Sequence, residues 1–251
     1  MTLIFDRGLR LGEPGDDLAT MRSFTSVVAG IRTCATVGQH DGYLHGIEVN
    51  LEPWAAFTLF GTPLGELKNK NVEASDLLDV KVRELTGALA ATSSWARRFA
   101  LLDHVLGLWW AAGPACSPRI LRAWRMLVRS GGTIPVARLA AAVGWSERQL
   151  ERRFAEQIGH SPKAAGRIVR FQRAVRMLVA GRPAIVVATA CGFYDQAHLD
   201  GEFMAMTGRT ISRFLLEHGA GHGGPQVLQR VAGEVTSIPL ADVGFLQDLT
   251  I

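Results

Sequence analysis

Between Ser146 and Arg153 the chain reads SERQLERR, and its hydrogen-bonding side chains fall where a helix would gather them. At about 100° per residue, Arg148 and Arg152 share one side, flanked by Gln149 and Glu151, while Leu150, Phe154 and Ile158 form an apolar stripe on the other. A guanidinium offers paired donors and a carboxamide one donor and one acceptor. The chemistry available here is hydrogen bonding from the free face of a helix, with Arg153 beside it as a further cation.

Such side chains need a rigid mount, and the preceding residues supply one. Val136, Leu139, Ala140 and Val143 follow the i, i+3, i+4, i+7 rule of a short helix with one buried face. Gly144 permits a tight turn. Ser146 is a favourable N-cap, Gln149 completes a capping box, and Trp145 against Leu150 makes a hydrophobic staple. A helix, a turn and a second helix with donors on its free side make a helix-turn-helix.

The same punctuation returns 49 residues later: Trp145, Ser146, Leu150, Phe154 and Gly159 correspond to Tyr194, Asp195, Leu199, Phe203 and Gly208. Ile185 to Ala190 is the first helix of this copy, with Pro183 near its start. Cys191-Gly192-Phe193 is its turn, Asp195 its N-cap, and Tyr194 with Leu199 its staple. Ala197, Gly201 and Glu202 stand at the places of Arg148, Arg152 and Arg153, so only Gln196 and His198 are left as readers. Between the copies runs SPKAAGRIVRFQRAVRMLVAG, a helix begun by Pro162 and carrying Lys163, Arg167, Arg170, Arg173 and Arg176. Some of these cations are placed to face phosphates, the rest being surface residues or salt-bridge partners.

These residues resemble the AraC/XylS family of bacterial transcription regulators over about 100 residues, through LAAAVGWSERQLERRFAEQIGHSPKAAGRIVRFQRAVRML and VATACGFYDQAHLDGEF. The resemblance implies an all-helical domain with two helix-turn-helix units, about 134–158 and 183–207, joined by helix 162–180. It implies contacts to double-stranded DNA from Ser146, Arg148, Gln149, Arg152, Arg153, Lys163, Arg167, Arg170, Gln196 and His198. It further implies activation as the commoner mode, RNA polymerase as a candidate partner, a small-molecule effector and a monomeric or homodimeric state. Two departures weaken the second unit: the family usually has Arg where Gly201 stands and Pro where Ile211 stands. Gly201 also costs on the order of 1 kcal/mol of helix propensity.

Charge is distributed accordingly. Residues 1–113 hold 10 basic and 13 acidic side chains, residues 114–218 hold 16 and 7, and residues 219–251 hold 1 and 3. A basic module between two slightly acidic ones attracts a phosphate backbone through counterion release. The boundary is set at AAGPACSP, residues 111–118, where prolines and glycine accompany the change in charge. From Thr2 to about Phe60, the runs TLIFD, FTSVVAGIRTCATVG, YLHGIEVNL and WAAFTLFG read as strands. GTPLGELKNKNV reads as a loop, and a helical period from Ala74 gives two packed helices. This region is similar to the amino-terminal region of one actinobacterial-type subset of the family, which implies an effector-binding or dimerisation role. After Gly219, GAGHGGPQ reads as a linker, and VGFLQDLTI is a candidate to complete the N-terminal sheet or a dimer interface.

The expected fold class is therefore α+β: a small β-rich N-terminal domain with two helices (1–113), an all-α double helix-turn-helix domain (114–218), and an extended tail (219–251). With 251 residues and a 48% apolar composition, the chain can bury a real core. No run approaches the roughly 20 apolar residues of a membrane span. Three cysteines in no metal-ligand spacing and no signal-peptide pattern point to the cytoplasm. No nucleophile elbow, P-loop or dinucleotide fingerprint is present, so no catalysis and no cofactor are expected. Cys34, in an apolar strand-like run, reads as a structural thiol.

Two other functions compete. His40, Asp41, His45 and Glu48 invite comparison with metal-binding cupin-like enzymes, but His45 and Glu48 would point to opposite faces of a strand, so no metal is expected. A protein-binding regulator that has lost specific DNA binding would explain Glu202 in the second recognition helix, although not Arg148 and Arg152. Trp95, Trp109 and Trp110 lie at helical spacing and read as core packing rather than a ligand pocket.

Overall fold

Short β-branched and aromatic runs between glycines do form strands here. The computed structural model describes residues 1–5, 8–17, 19–40, 44–218, 230–231 and 234–235. One antiparallel sheet contains β1 (Thr2–Ile4), β4 (Ser26–Ala29), β6 (Gly46–Glu48) and β7 (Asn71–Glu73), in the order β6-β1-β4-β7. A second contains β2 (Leu9–Gly12), β3 (Arg22–Phe24), β5 (Val37–Gln39), β8 (Arg230–Val231) and β9 (Glu234–Val235), in the order β3-β2-β5-β9-β8. Alternation along the strands sorts the side chains into two environments. Leu3 and Val28 enter the main core, whereas their neighbours Ile4 and Val27 join Leu9 and Phe24 in a small separate cluster. The Glu73 carboxylate holds the β4 edge by accepting from the backbone N–H and the hydroxyl of both Thr25 and Ser26, at 2.7–3.1 Å.

Cys34 lies exposed in the loop between β4 and β5, not in an apolar strand, and two further expectations fail in this region. WAAFTLFG is not a strand but part of α1 (Pro53–Phe60), with Pro53 in its first turn and Gly61 closing it at φ 63°. An unbroken apolar run has no period to separate strand from helix, and Phe57, Leu59 and Phe60 are all buried. GTPLGELKNKNV is not simply a loop, because Leu64–Leu67 form a 3-10 helix and Asn71–Glu73 form β7. The helical stretch after Ala74 divides at Asp79 (φ 54°) into α2 (Ala74–Leu78) and α3 (Val80–Ala91), followed by α4 (Trp95–Ala112).

From Pro118 to His218 the chain is helical: α5 (Pro118–Arg129), α6 (Val136–Val143), α7 (Glu147–Ile158), α8 (Pro162–Val179), α9 (Ala184–Ala190), α10 (Gln196–Thr207) and α11 (Ile211–His218). The fold is thus α+β, a β-rich N-terminal region followed by an all-helical one. Its cores are distributed unevenly. A single apolar cluster runs from Leu3 through Phe57, Leu64 and Leu89 to Ile120, Leu150, Phe154 and Val169, joining the N-terminal region to α5, α6 and α7. A separate cluster, with Phe171, Leu178, Leu199, Phe203 and Phe214, belongs to α8 through α11.

From the tail, the described residues include β8 and β9, and β9 pairs antiparallel with β5 through Gly38 opposite Val235. The segment VGFLQDLTI lies outside the described residues, as does Asp41 of the candidate metal group. Among the described residues, no group of three or more His, Cys, Asp or Glu could hold a metal ion, and no helix is long and apolar enough to cross a membrane.

Candidate nucleic-acid interface

The two helix-turn-helix units are built by the same local chemistry. Ser146 Oγ accepts from Gln149 N at 3.2 Å at the start of α7, and Asp195 Oδ1 accepts from His198 N at 2.7 Å at the start of α10. Leu150 and Phe154, and their counterparts Leu199 and Phe203, are fully buried. Gly159 and Gly208 close the two helices at φ 99° and 65°, a left-handed conformation that favours glycine.

The repeat extends further back than the sequence reading took it. RAWRMLV in α5 and RAVRMLV in α8 are offset by 51 residues, the turn before α9 being shorter than that before α6. Ile120, Ala123 and Leu127 pack like Phe171, Ala174 and Leu178, all buried. Each unit is therefore three helices, α5-α6-α7 and α8-α9-α10. The near-identity of those two heptapeptides was the missed signal. It also adds Arg122 and Arg125, exposed on α5, as candidate phosphate-facing cations.

A single cation shows where the copies differ. Arg119 stacks over Trp145 with its guanidinium 5.4 Å from the ring centre, and its counterpart Arg170 stacks over Phe193 at 5.6 Å. In the second unit the covered aromatic is thus one residue earlier in the turn. Tyr194 is left 92% exposed, so the expected staple between Tyr194 and Leu199 does not form. His198 braces this turn instead: its Nδ1 accepts from Tyr194 N at 3.3 Å, and its ring meets Phe193 edge-on.

The candidate contact residues fall into two groups. Ser146, Arg148, Gln149, Arg152 and Lys163 are exposed, as are Gln196 and His198. Arg148, Gln149 and Arg152 lie together on the free side of α7, and among the described residues no ion pair engages Arg148 or Arg152. The second group is spoken for within the chain. Arg153 pairs with Glu156 one turn on, at 3.1 Å. Arg170 donates to Gly192 O at 3.4 Å as well as stacking on Phe193. Arg167 donates through Nη2 and Nε to Glu202 Oε2, at 2.8 and 3.1 Å.

Glu202 is accordingly a strut between α8 and α10 rather than an acid presented outward. Sequence reasoning placed it on the DNA side because its counterpart Arg153 was placed there. Gly201 is exposed, and a Cβ built on it would meet nothing within 4 Å. In the N-terminal region His45 belongs to a structural cluster: Arg98 Nη1 lies 3.3 Å from its Nε2, and the buried guanidinium stacks on Phe5 and Trp95. Arg98 Nε also donates to Leu89 O at the end of α3, which suits a cation to a helix C-terminus. Trp109 packs against the main core as expected, but Trp95 and Trp110 are exposed rather than core residues, Trp110 meeting Trp54 edge-on at 5.7 Å.

Comparison with known proteins adds to this geometry. No curated protein matches the chain significantly. Among solved structures it is similar to ToxT from Vibrio cholerae O395, at 10% identity over 86% of this chain and 87% of that one, with a TM-score of 0.42. It is similar also to unsaturated fatty acid-bound wild-type ToxT from Vibrio cholerae strain SCE256, at 10% identity over 86% and 85%, with a TM-score of 0.41. Residues 139–216 match a family model described as a helix-turn-helix domain, which spans α6 to α11. This part of the chain is a helix-turn-helix domain.

Proposed function

We propose that the protein is a cytoplasmic transcription regulator that binds double-stranded DNA sequence-specifically and activates transcription, without catalysis. The observation that carries this reading is the group Arg148, Gln149 and Arg152, exposed on a helix whose start is fixed by Ser146 and whose back is fully buried. Such a helix presents base-reading side chains from a backbone that is already ordered before binding. Lys163 and the exposed α5 arginines add sequence-independent attraction to phosphate. The second unit, with Gln196 and His198 exposed but few cations, orients the protein on DNA. Residues 1–113 act as the regulatory region, taking an effector or a second copy of the chain, residues 114–218 do the reading, and the tail is 219–251. RNA polymerase is the proposed downstream partner.

The alternative of a protein-binding regulator rests on the acidic second recognition helix. The engagement of Glu202 with Arg167 takes one acid from that face, while Asp200 stays exposed. The test is selection from a pool of genomic fragments at two salt concentrations, beside an Arg148→Ala/Arg152→Ala double variant. Enrichment of one sequence by the wild type alone supports the reading. Equal, weak, salt-sensitive binding by both proteins overturns it.

A further inference from the structure

We infer that the loop joining β4 to β5, residues 30–36, is a positioning strut that holds both recognition helices in one fixed relation. The argument starts from the repeat. Gly159 and Gly208 are equivalent, and so are the residues that follow them, His160 and Arg209. The N-terminal region touches both copies at this equivalent place. In the first unit, His160 is 1% exposed, with Nε2 2.8 Å from Ile31 O, and a Cβ on Gly159 would lie 3.3 Å from Leu64 O. In the second, a Cβ on Gly208 would lie 3.3 Å from Pro14 Cγ and 3.6 Å from Ala35 Cβ, and Arg209 lines an open cleft with Pro14, Asp16 and Gln39.

Ile31 and Ala35 are four residues apart in one loop, and that loop is itself held. Thr33 N donates to Asn69 Oδ1 at 2.8 Å, and Asn69 N donates to Ile31 O at 3.2 Å. Gly30 packs against the Leu67 carbonyl so closely that any side chain there would collide with it. The loop is therefore a short rigid bar between the two units. It matters because their hydrophobic cores are separate and only α8 passes from one to the other. The contacts lie at the C-terminal ends of α7 and α10, about 18 Å along each helix from the capped starts, so the bar leaves the donors uncovered. Two readers linked at a fixed spacing gain effective concentration on DNA, and they lose it when the spacing is wrong.

The test uses the full chain with Cys34→Ser, in which Cys116 and Cys191 are buried, and spin labels at the repeat-equivalent exposed positions Glu151→Cys and Asp200→Cys. One narrow distance is expected, and Ala35→Trp should displace or broaden it while the unfolding temperature changes little. Pro14→Trp, at the other contact with the second unit, should do the same and serves where Ala35→Trp fails to fold. An unchanged distance distribution in a folded Trp variant overturns the proposal. Its consequence for DNA rests on the proposed function: affinity for a fragment spanning both units' contacts should fall on the order of tenfold, with a fragment spanning only the first unit's contacts unaffected. A shifted distance in a protein that binds no DNA would leave the strut standing and remove the regulator reading instead.

Discussion

Arg167 holds Glu202 through two nitrogens on a single carboxylate oxygen, at 2.8 and 3.1 Å, and so fastens the linking helix α8 to the second recognition helix. The Arg167 side chain is 35% exposed and that of Glu202 16%. Removing the two partners should therefore have unequal effects. Arg167→Ala leaves a mostly buried carboxylate with only His198 Nε2, 3.9 Å from its other oxygen, and should cost about 1–3 kcal/mol, whereas Glu202→Gln leaves a guanidinium that water still reaches and should cost about 1 kcal/mol or less. Urea denaturation of the two single variants and the double variant measures both values and their coupling. Equal losses would mean that the carboxylate is hydrated after all.

The helix that carries Glu202 also contains Gly201, in open space. Gly201→Ala should stabilise the protein by about 0.8–1 kcal/mol, seen as a higher unfolding temperature. Gly201→Arg should match most of that gain and steepen the salt dependence of DNA binding by about one phosphate contact.

For the first recognition helix, Arg148→Ala/Arg152→Ala should leave stability within about 0.5 kcal/mol of wild type, because both side chains are exposed. Its affinity for the selected sequence should fall about thirtyfold or more, at about 1–3 kcal/mol for each base contact. Titration of labelled duplex at fixed salt provides the measurement.

Burial, reinforced by Lys68 nearby, pushes the His160 imidazole below its ordinary pKa, against the raising effect of its bond to Ile31 O. The neutral ring is the folded form, so its stabilising contribution is complete above about pH 6.5, the unfolded value. It is lost as the pH falls below that value and levels off once the lower folded pKa is passed. Denaturation between pH 8 and pH 5 should show this loss, and His160→Gln should flatten it.

Thiol reactivity should divide the three cysteines. Burial raises the Cys116 thiol to about 11 and pushes Cys191 up as well, while Cys34 is exposed. A maleimide should label the native protein once, at Cys34, and three times only after unfolding, as mass spectrometry would count.

What could be read in the sequence was whatever local chemistry dictates. Ser146 and Asp195 as caps, Gly159 and Gly208 as stops, and the stripe Leu150, Phe154, Ile158 are signals that a few residues carry by themselves, and each stands as expected. The misplacements came from tertiary choices. Tyr194 had the right spacing for a staple, but Phe193 took the place under the α8 arginine. Glu202 had the right phase to face outward, but Arg167 lay within reach. WAAFTLFG carried no period to read, and only its burial on several sides decided for helix. The shared core of the N-terminal region and the first unit had no local trace.

That shared core bears on how this protein could be taken apart. A fragment beginning at Pro114 would carry every residue proposed to touch DNA, yet it would leave behind Phe57, Leu64 and Leu67, which share an apolar cluster with Leu150 and Phe154. Such a fragment would present fresh oily surface and tend to clump, whatever its fitness to recognise DNA. Anyone grafting this reader onto another sensor would have to bring those three residues along or cover the face they leave bare.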